Sequence, residues 1–159
     1  MKIPERVFVV VNAVARLLLR SPLHFLMSDS LLVINYVGRK SGRAYATPVR
    51  YQQLESGVRC FTSKHVQWWR NVNGAEQVTL LIAGKTIPHK AQVLQDDPAR
   101  IRPLLEEFLA LYPQDATYQD ITFDAQGRLN EDELRRALAV SVVVEFHPLS
   151  LPQRIGNSA

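Results

Sequence analysis

Between residues 31 and 95 the apolar positions come in short bursts separated by glycine-containing turns. LLVINYV (31–37) is rich in branched and aromatic side chains and predicts a β-strand. Gly38 and Gly42 frame a turn, and AYATPVRYQQL (44–54) predicts the returning strand. Its alternation of Tyr45, Thr47, Val49 and Tyr51 places one set of side chains on each face. Pro48 cannot donate to a ladder, so this strand is expected at an edge or around a bulge. Ser56-Gly57 turns the chain again, and VRCFTS predicts a third strand.

The period then changes. KHVQWWRNVNGAE reads as a short helix, with Ser63 as an available cap and Asn73-Gly74 as the stop. QVTLLIA (77–83) and TIPHKAQVLQ (86–95) predict a strand pair around Gly84-Lys85. Asp97 caps a helix that has Pro98 in its first turn and continues through ARIRPLLEEFLALY, where Pro103 predicts a kink. YQDITFDAQGRL reads as a small strand and turn; it lacks the acidic ladder of a calcium loop. Asn130 caps EDELRRAL, VSVVVEFHPL is a last strand, and 151–159 reads as a loose tail. Hairpins dominate this order. The expectation is one α+β domain over 1–159, a mostly antiparallel barrel-like sheet of about six or seven strands with flanking helices.

The first twenty residues predict an amphipathic helix, over about 4–19. Val10, Val14, Leu17 and Leu18 share a face, with Arg6, Arg16 and Arg20 off it. A shorter helical piece, LHFLMS, follows. Asn12, Arg16 and Arg20 interrupt the apolar run before it reaches the ~20 residues of a membrane span, and no A-x-A cleavage signal follows. Two roles stay open for this helix: capping the core, or lying on a membrane surface with its cations toward the head groups. A cytoplasmic protein, with peripheral contact at the inner membrane face as the second role, is expected.

Charge is uneven along the chain. Residues 1–90 carry 13 Lys+Arg against 4 Asp+Glu, and residues 91–159 carry 6 against 11, so +9 and −5 make up the net +4. A basic first half points to an anionic partner. Cys60 is the only cysteine, which excludes an internal disulfide and reads as core. His24, His65, His89 and His147 are scattered, so no metal site is expected. Nucleotide-binding glycine loops, nucleophile elbows and zinc-helix motifs are absent. No nucleic-acid-binding module is recognisable, so nucleic acid is not an expected partner.

What chemistry remains is cationic and rich in glycine. In GRKSGR (38–43) two glycines let backbone N–H groups approach a ligand closely, as in an anion-binding nest. Arg39 and Arg43 offer planar forks for phosphate oxygens, Lys40 a mobile charge and Ser41 a hydroxyl. A plain hairpin turn with solubilising charges explains the same residues. Ser63 and Lys64 form a second cluster at a strand end. Trp68 and Trp69 point roughly 100° apart on a helix, so one is expected to pack inward and the other to wall a groove.

Strand–GRKSGR–strand–TPVRY, then TSK–WWRN, then VTLLIAGK and a strand, together resemble the deazaflavin-dependent nitroreductase family of split β-barrel, flavin-binding-type proteins. The resemblance covers about Ser21 to Leu149 and implies a split β-barrel. It implies coenzyme F-420, or FMN in relatives, in a groove. It assigns cofactor contacts to Arg39, Lys40, Ser41, Gly42 and Pro48, with Arg43 beside them, and to Ser63, Lys64 and a tryptophan wall at Trp68. One departure stands out: TSKHVQWWRN is short, with His65 where the family has glycine.

The activity implied is an oxidoreductase that passes hydride to a quinone, enone or nitroaromatic acceptor, with Tyr112 and Tyr118 beside the substrate as proton donors. The fold also implies a homodimer as the assembly to test. The competing function is a non-catalytic binding protein for a lipid, tetrapyrrole or flavin.

Overall fold

A computed structural model describes residues 31–149. The expected N-terminal helix, the LHFLMS piece and the tail over 151–159 lie outside these residues. Seven strands form one antiparallel sheet: β1 Leu31–Val37, β2 Ala44–Arg50, β3 Gln52–Leu54, β4 Gly57–Ser63, β5 Val78–Ile82, β6 Lys85–Leu94 and β7 Ser141–Pro148. Their spatial order is β2-β1-β5-β6-β7-β4-β3. The helices are α1 Trp68–Val72, α2 Pro98–Leu111 and α3 Glu131–Val140, with a 3₁₀ helix over Pro113–Gln119.

This order makes the sheet a split barrel. β2 and β3 are its two edge strands, yet only Tyr51 separates them along the chain. One residue spans less than 4 Å per peptide step, so the sheet must curl until its edges meet. The long strand expected over 44–54 is therefore two strands. Tyr51 keeps the alternation and stays buried, at 7% exposure, while the hydrogen bonds change partner from β1 to β4. Pro48 sits on edge strand β2, where its missing N–H is tolerated.

The barrel interior holds Leu32, Ile34, Val58, Cys60, Leu80, Val142, Val144 and Phe146. Each larger aliphatic or aromatic side chain there contributes about 1.5–3 kcal/mol on burial. Strand alternation sends Val143 to the other face, under a second cluster formed by Ile101, Leu105 and Phe108 of α2 and by Leu134 and Leu138 of α3. β1 is buried on both sides, because Val33 joins Ala46 and Leu81 opposite Leu32 and Ile34.

Several local expectations change. Both tryptophans of α1 are core residues, Trp68 at 5% exposure and Trp69 at 4%. Both rings join the barrel-interior cluster, and the Trp69 indole N–H is satisfied there by the Ser63 carbonyl. Ser63 does not cap α1. The N-cap is Gln67, with no side-chain cap bond. Gly74 stops the helix region at φ +76°, as Asn73-Gly74 indicated. α2 continues through Pro103, which forgoes only the bond to the Ala99 carbonyl. Asp97 caps it by accepting from the Arg100 N–H at 3.1 Å, and Asn130 caps α3 through the N–H groups of Asp132 and Glu133, both at 3.1 Å. The small strand expected near residue 123 reduces to a single Phe123–Leu129 bridge after the 3₁₀ helix.

Candidate functional site

The β1–β2 hairpin carries the first candidate site at its tip. The Gly38 N–H donates to the Arg43 carbonyl at 2.8 Å, and the Gly42 N–H to the Gly38 carbonyl at 2.9 Å. Gly42 has φ +65°, a conformation that disfavours other residues. Gly38 is needed for space: a Cβ there would meet Ser41 Oγ at 2.6 Å and the Tyr45 ring at 2.7 Å. Ser41 Oγ accepts from the Arg43 N–H at 3.3 Å and lies 3.2 Å from the Tyr45 hydroxyl.

The turn is tied to α1. The Arg39 N–H donates to Asn71 Oδ1 at 3.0 Å, and the Arg39 guanidinium donates to the Asn73 carbonyl. Tyr36 and Tyr45, register partners across the hairpin, stack at 5.5 Å with 19° between ring planes. Burial holds the Tyr36 phenol above its ordinary range; its Thr47 hydrogen bond pulls the other way. These residues enclose a cleft of about 500 Å³ lined by Tyr36, Gly38, Arg39, Lys40, Ser41 and Tyr45 with Gln67, Arg70 and Asn71 from the α1 side.

Arg70 lies over the Trp69 ring at 4.6 Å and donates to the Lys64 carbonyl at 2.8 Å and the Val66 carbonyl at 3.2 Å. Its charge is thus pre-positioned at the cleft wall. Sequence reasoning missed Arg70, Asn71 and the tyrosine pair. The WWRN segment placed Arg70 and Asn71 one helix away from GRKSGR, and nothing local says that the helix lands on the turn.

The structure separates the other expected contacts. Gly42 and Arg43 belong to the same turn as Arg39, Lys40 and Ser41. Lys64 is engaged elsewhere: Nζ lies 2.6 Å from Asp96 and donates to the Ala139 carbonyl at 2.9 Å, at the end of α3. Ser63 Oγ accepts from the His65 N–H at 3.3 Å, and the Ser63 carbonyl accepts from the Trp69 indole at 3.1 Å. This strand end is a structural junction. Trp68 stacks on Phe146 in the core, 6.4 Å between centroids, which gives it a packing role rather than a place in the groove wall.

Pro48 and Tyr118 meet in a second cleft, of about 520 Å³, lined by Leu31, Pro48, Val49, Arg50, Phe61, Phe108, Asp115, Tyr118 and Gln119. Tyr118 is 83% exposed at its rim. Tyr112 packs on Phe108 at 5.2 Å, and the Arg50 guanidinium lies 5.3 Å from its ring. Arg50 Nε is 2.6 Å from Asp115 Oδ2. Among the described residues no group of three metal-binding side chains occurs, and no helix is long and apolar enough to cross a membrane.

A family model described as F-420H(2)-dependent quinone reductase matches residues 14–124. The chain belongs to this family. The match takes in the GRKSGR turn, the cleft around it and the Pro48–Tyr118 pair, and the family's named coenzyme is reduced F-420. It gives no separate support to FMN. No curated protein gives a significant match.

Solved structures align with this chain at low sequence identity. The haem storage protein HutZ of Vibrio cholerae aligns at 12% identity and TM-score 0.52, over 80% of this chain and 87% of its own. A structure described as a domain-swapped dimer aligns at 16% identity and TM-score 0.50, over 89% and 99%. An F-420-H2-dependent reductase aligns at 18% identity and TM-score 0.47, over 73% and 93%.

Proposed function

We propose that this protein reduces a quinone-type acceptor with reduced coenzyme F-420, the phosphate-bearing side of the coenzyme held by the 38–43 turn, the coenzyme extending along the hairpin to Pro48, and the acceptor held beside it in the Pro48–Tyr118 cleft. The cleft at the turn carries the reading. It combines Lys40 and Arg70 with Ser41 and a stacked tyrosine wall in about 500 Å³. Cations and a glycine turn suit a phosphate and a polyanionic tail.

The residues take distinct parts. Arg39 is the strut that fixes the turn on α1, because both its N–H and its guanidinium are committed to Asn71 and Asn73. Lys40, exposed at the cleft, supplies a point charge. Ser41 and the Gly42 and Arg43 backbone complete the turn. The apolar walls of the second cleft, Leu31, Val49, Phe61 and Phe108, exclude water around an acceptor. Tyr118, which lines this cleft, gives a proton to the acceptor oxygen, and Tyr112 packs against the Arg50 guanidinium. When bound, the reduced coenzyme supplies the hydride, and hydride plus proton convert a quinone to its hydroquinone.

Fluorescence titration of the full chain with F-420 tests the reading. Saturable quenching in the low micromolar range, followed by coenzyme oxidation on adding a quinone, is expected. No binding at tens of micromolar rejects it. Nitroaromatic and enone acceptors run alongside rank the acceptor class. A single domain across 1–159, a cytoplasmic location, a homodimer and membrane contact through residues 1–20 are further parts of the proposal. Limited proteolysis, cell fractionation, light scattering and liposome flotation check them in turn.

A further inference from the structure

The second cleft contains an ion pair that neither hydride transfer nor packing explains. Apolar walls from Leu31, Val49, Phe61 and Phe108 surround Arg50 and Asp115. The Asp115 side chain is 8% exposed, so the carboxylate is more than nine-tenths out of water. Its Oδ2 lies 2.6 Å from Arg50 Nε, but its Oδ1 is buried with no hydrogen-bond partner among the described residues. A buried acceptor left unmade is costly, and such atoms call for a partner. On the other side, Arg50 spends only Nε on Asp115. Its side chain is 29% exposed, and its planar fork lies against the Tyr112 ring. Among the described residues its two terminal nitrogens have no hydrogen-bond partner, so the fork keeps them for a ligand.

The cleft thus offers donors from Arg50 beside an acceptor at Asp115 Oδ1. We propose that the Arg50–Asp115 pair recognises a neutral acceptor molecule by a ring carbonyl flanked by an N–H or O–H group. The carbonyl accepts from the Arg50 guanidinium, and the neighbouring N–H or O–H donates to Asp115 Oδ1. This rests on the acceptor assignment of the cleft made above. An anionic acceptor satisfies Arg50 but meets the carboxylate, and an acceptor with a bare carbonyl leaves Oδ1 unpaired. Sites of this kind discriminate by what they leave unpaired. Negative charge that develops on the same carbonyl oxygen during reduction faces a fixed cation in water-poor surroundings, which makes Arg50 an electrophilic partner as well as a recognition group.

The test is calorimetric titration of the full chain, with and without oxidised coenzyme, using two probes. In 2-amino-1,4-naphthoquinone an amino N–H sits beside a ring carbonyl. In 2-methyl-1,4-naphthoquinone the carbonyl remains and the donor is gone. The native protein is expected to bind the amino compound about tenfold more tightly. Replacing the pair by apolar groups of similar volume, Arg50→Met with Asp115→Leu, is expected to abolish the preference while the fold is kept, since buried pairs tolerate such exchange. Asp115→Asn serves where the double variant folds poorly. Its amide oxygen turns to Arg50 and its NH₂ takes the place of Oδ1, so the preference is again lost. Equal affinities in the native protein, a preference that survives in the variants, or no binding of either quinone overturns the proposal. Failure of F-420 to bind, with the quinone preference intact, overturns the reductase reading instead and leaves the pair's role standing.

Discussion

The backbone N–H of Arg39 donates to the side-chain carbonyl of Asn71 at 3.0 Å, and through that bond the hairpin tip is fastened to α1 across 32 residues of sequence. A turn that must present its cation to a phosphate gains from being held in place before the ligand arrives. Asn71→Ala removes the fastening. Stability is expected to fall by about 1 kcal/mol, a loss of a few degrees in Tm, because one net hydrogen bond is lost. F-420 affinity is expected to fall about tenfold, beyond what the stability change accounts for. Thermal melts and fluorescence titration of the same preparation read the two effects.

Lys40 and Lys64 provide a contrast. Both were expected at the cofactor, but Lys40 lines the cleft and Lys64 pairs with Asp96 and the end of α3. Lys40→Glu is expected to weaken F-420 binding by more than tenfold and to leave Tm nearly unchanged, as exposed charges cost little stability. Lys64→Ala is expected to lower stability by about 1 kcal/mol, chiefly through the bond to the Ala139 carbonyl, with coenzyme affinity retained. Reversed results for the two lysines would return Lys64 to the binding groove.

Gly38→Ala and Gly42→Ala break the turn differently. At position 38 a methyl group displaces the Tyr45 ring from its stack on Tyr36, at about 1–3 kcal/mol. At position 42 nothing lies within 4 Å of an added Cβ, so the cost is the positive φ alone, about 1–2 kcal/mol. Fluorescence titration with F-420 is expected to rank Gly38→Ala as the more damaging to coenzyme affinity, because only it disturbs the tyrosine wall.

Tyr36 makes stability sensitive to alkali. Burial raises its folded pKa above the ordinary value of 10.0, so the folded protein holds its phenolic proton more tightly than the unfolded chain. That contribution is fully present below pH 10.0 and is lost as pH rises through the folded value. Tyr36→Phe is expected to flatten the fall of Tm above pH 10. An unchanged slope would place the alkaline transition elsewhere.

Burial likewise pushes the Cys60 thiol far up, and its exposure is 0%. The folded protein is expected to resist thiol reagents for as long as it stays folded, and to react fully in denaturant. Rapid labelling under native conditions would contradict the core assignment.

Much of the architecture was legible along the chain, because local chemistry specifies it. Branched runs made β1, β4, β5 and β7; Asp97 and Asn130 capped their helices; Asn73-Gly74 ended α1; Pro48 demanded an edge. The GRKSGR turn was visible too, since glycine spacing and charge are properties of adjacent residues. Tertiary structure decided the rest. The alternation through Tyr51 is the same whether the ladder partner is β1 or β4, so the break at the barrel seam has no local mark. The rotation of α1 put both tryptophans inside and brought Arg70 and Asn71 to the turn. The Arg50–Asp115 pair joins residues 65 positions apart that no local motif connects. Sequence determines what each segment prefers to be, because propensity and capping act over a few residues. Only packing decides which segments share a cleft, because that depends on burial summed over the whole sheet.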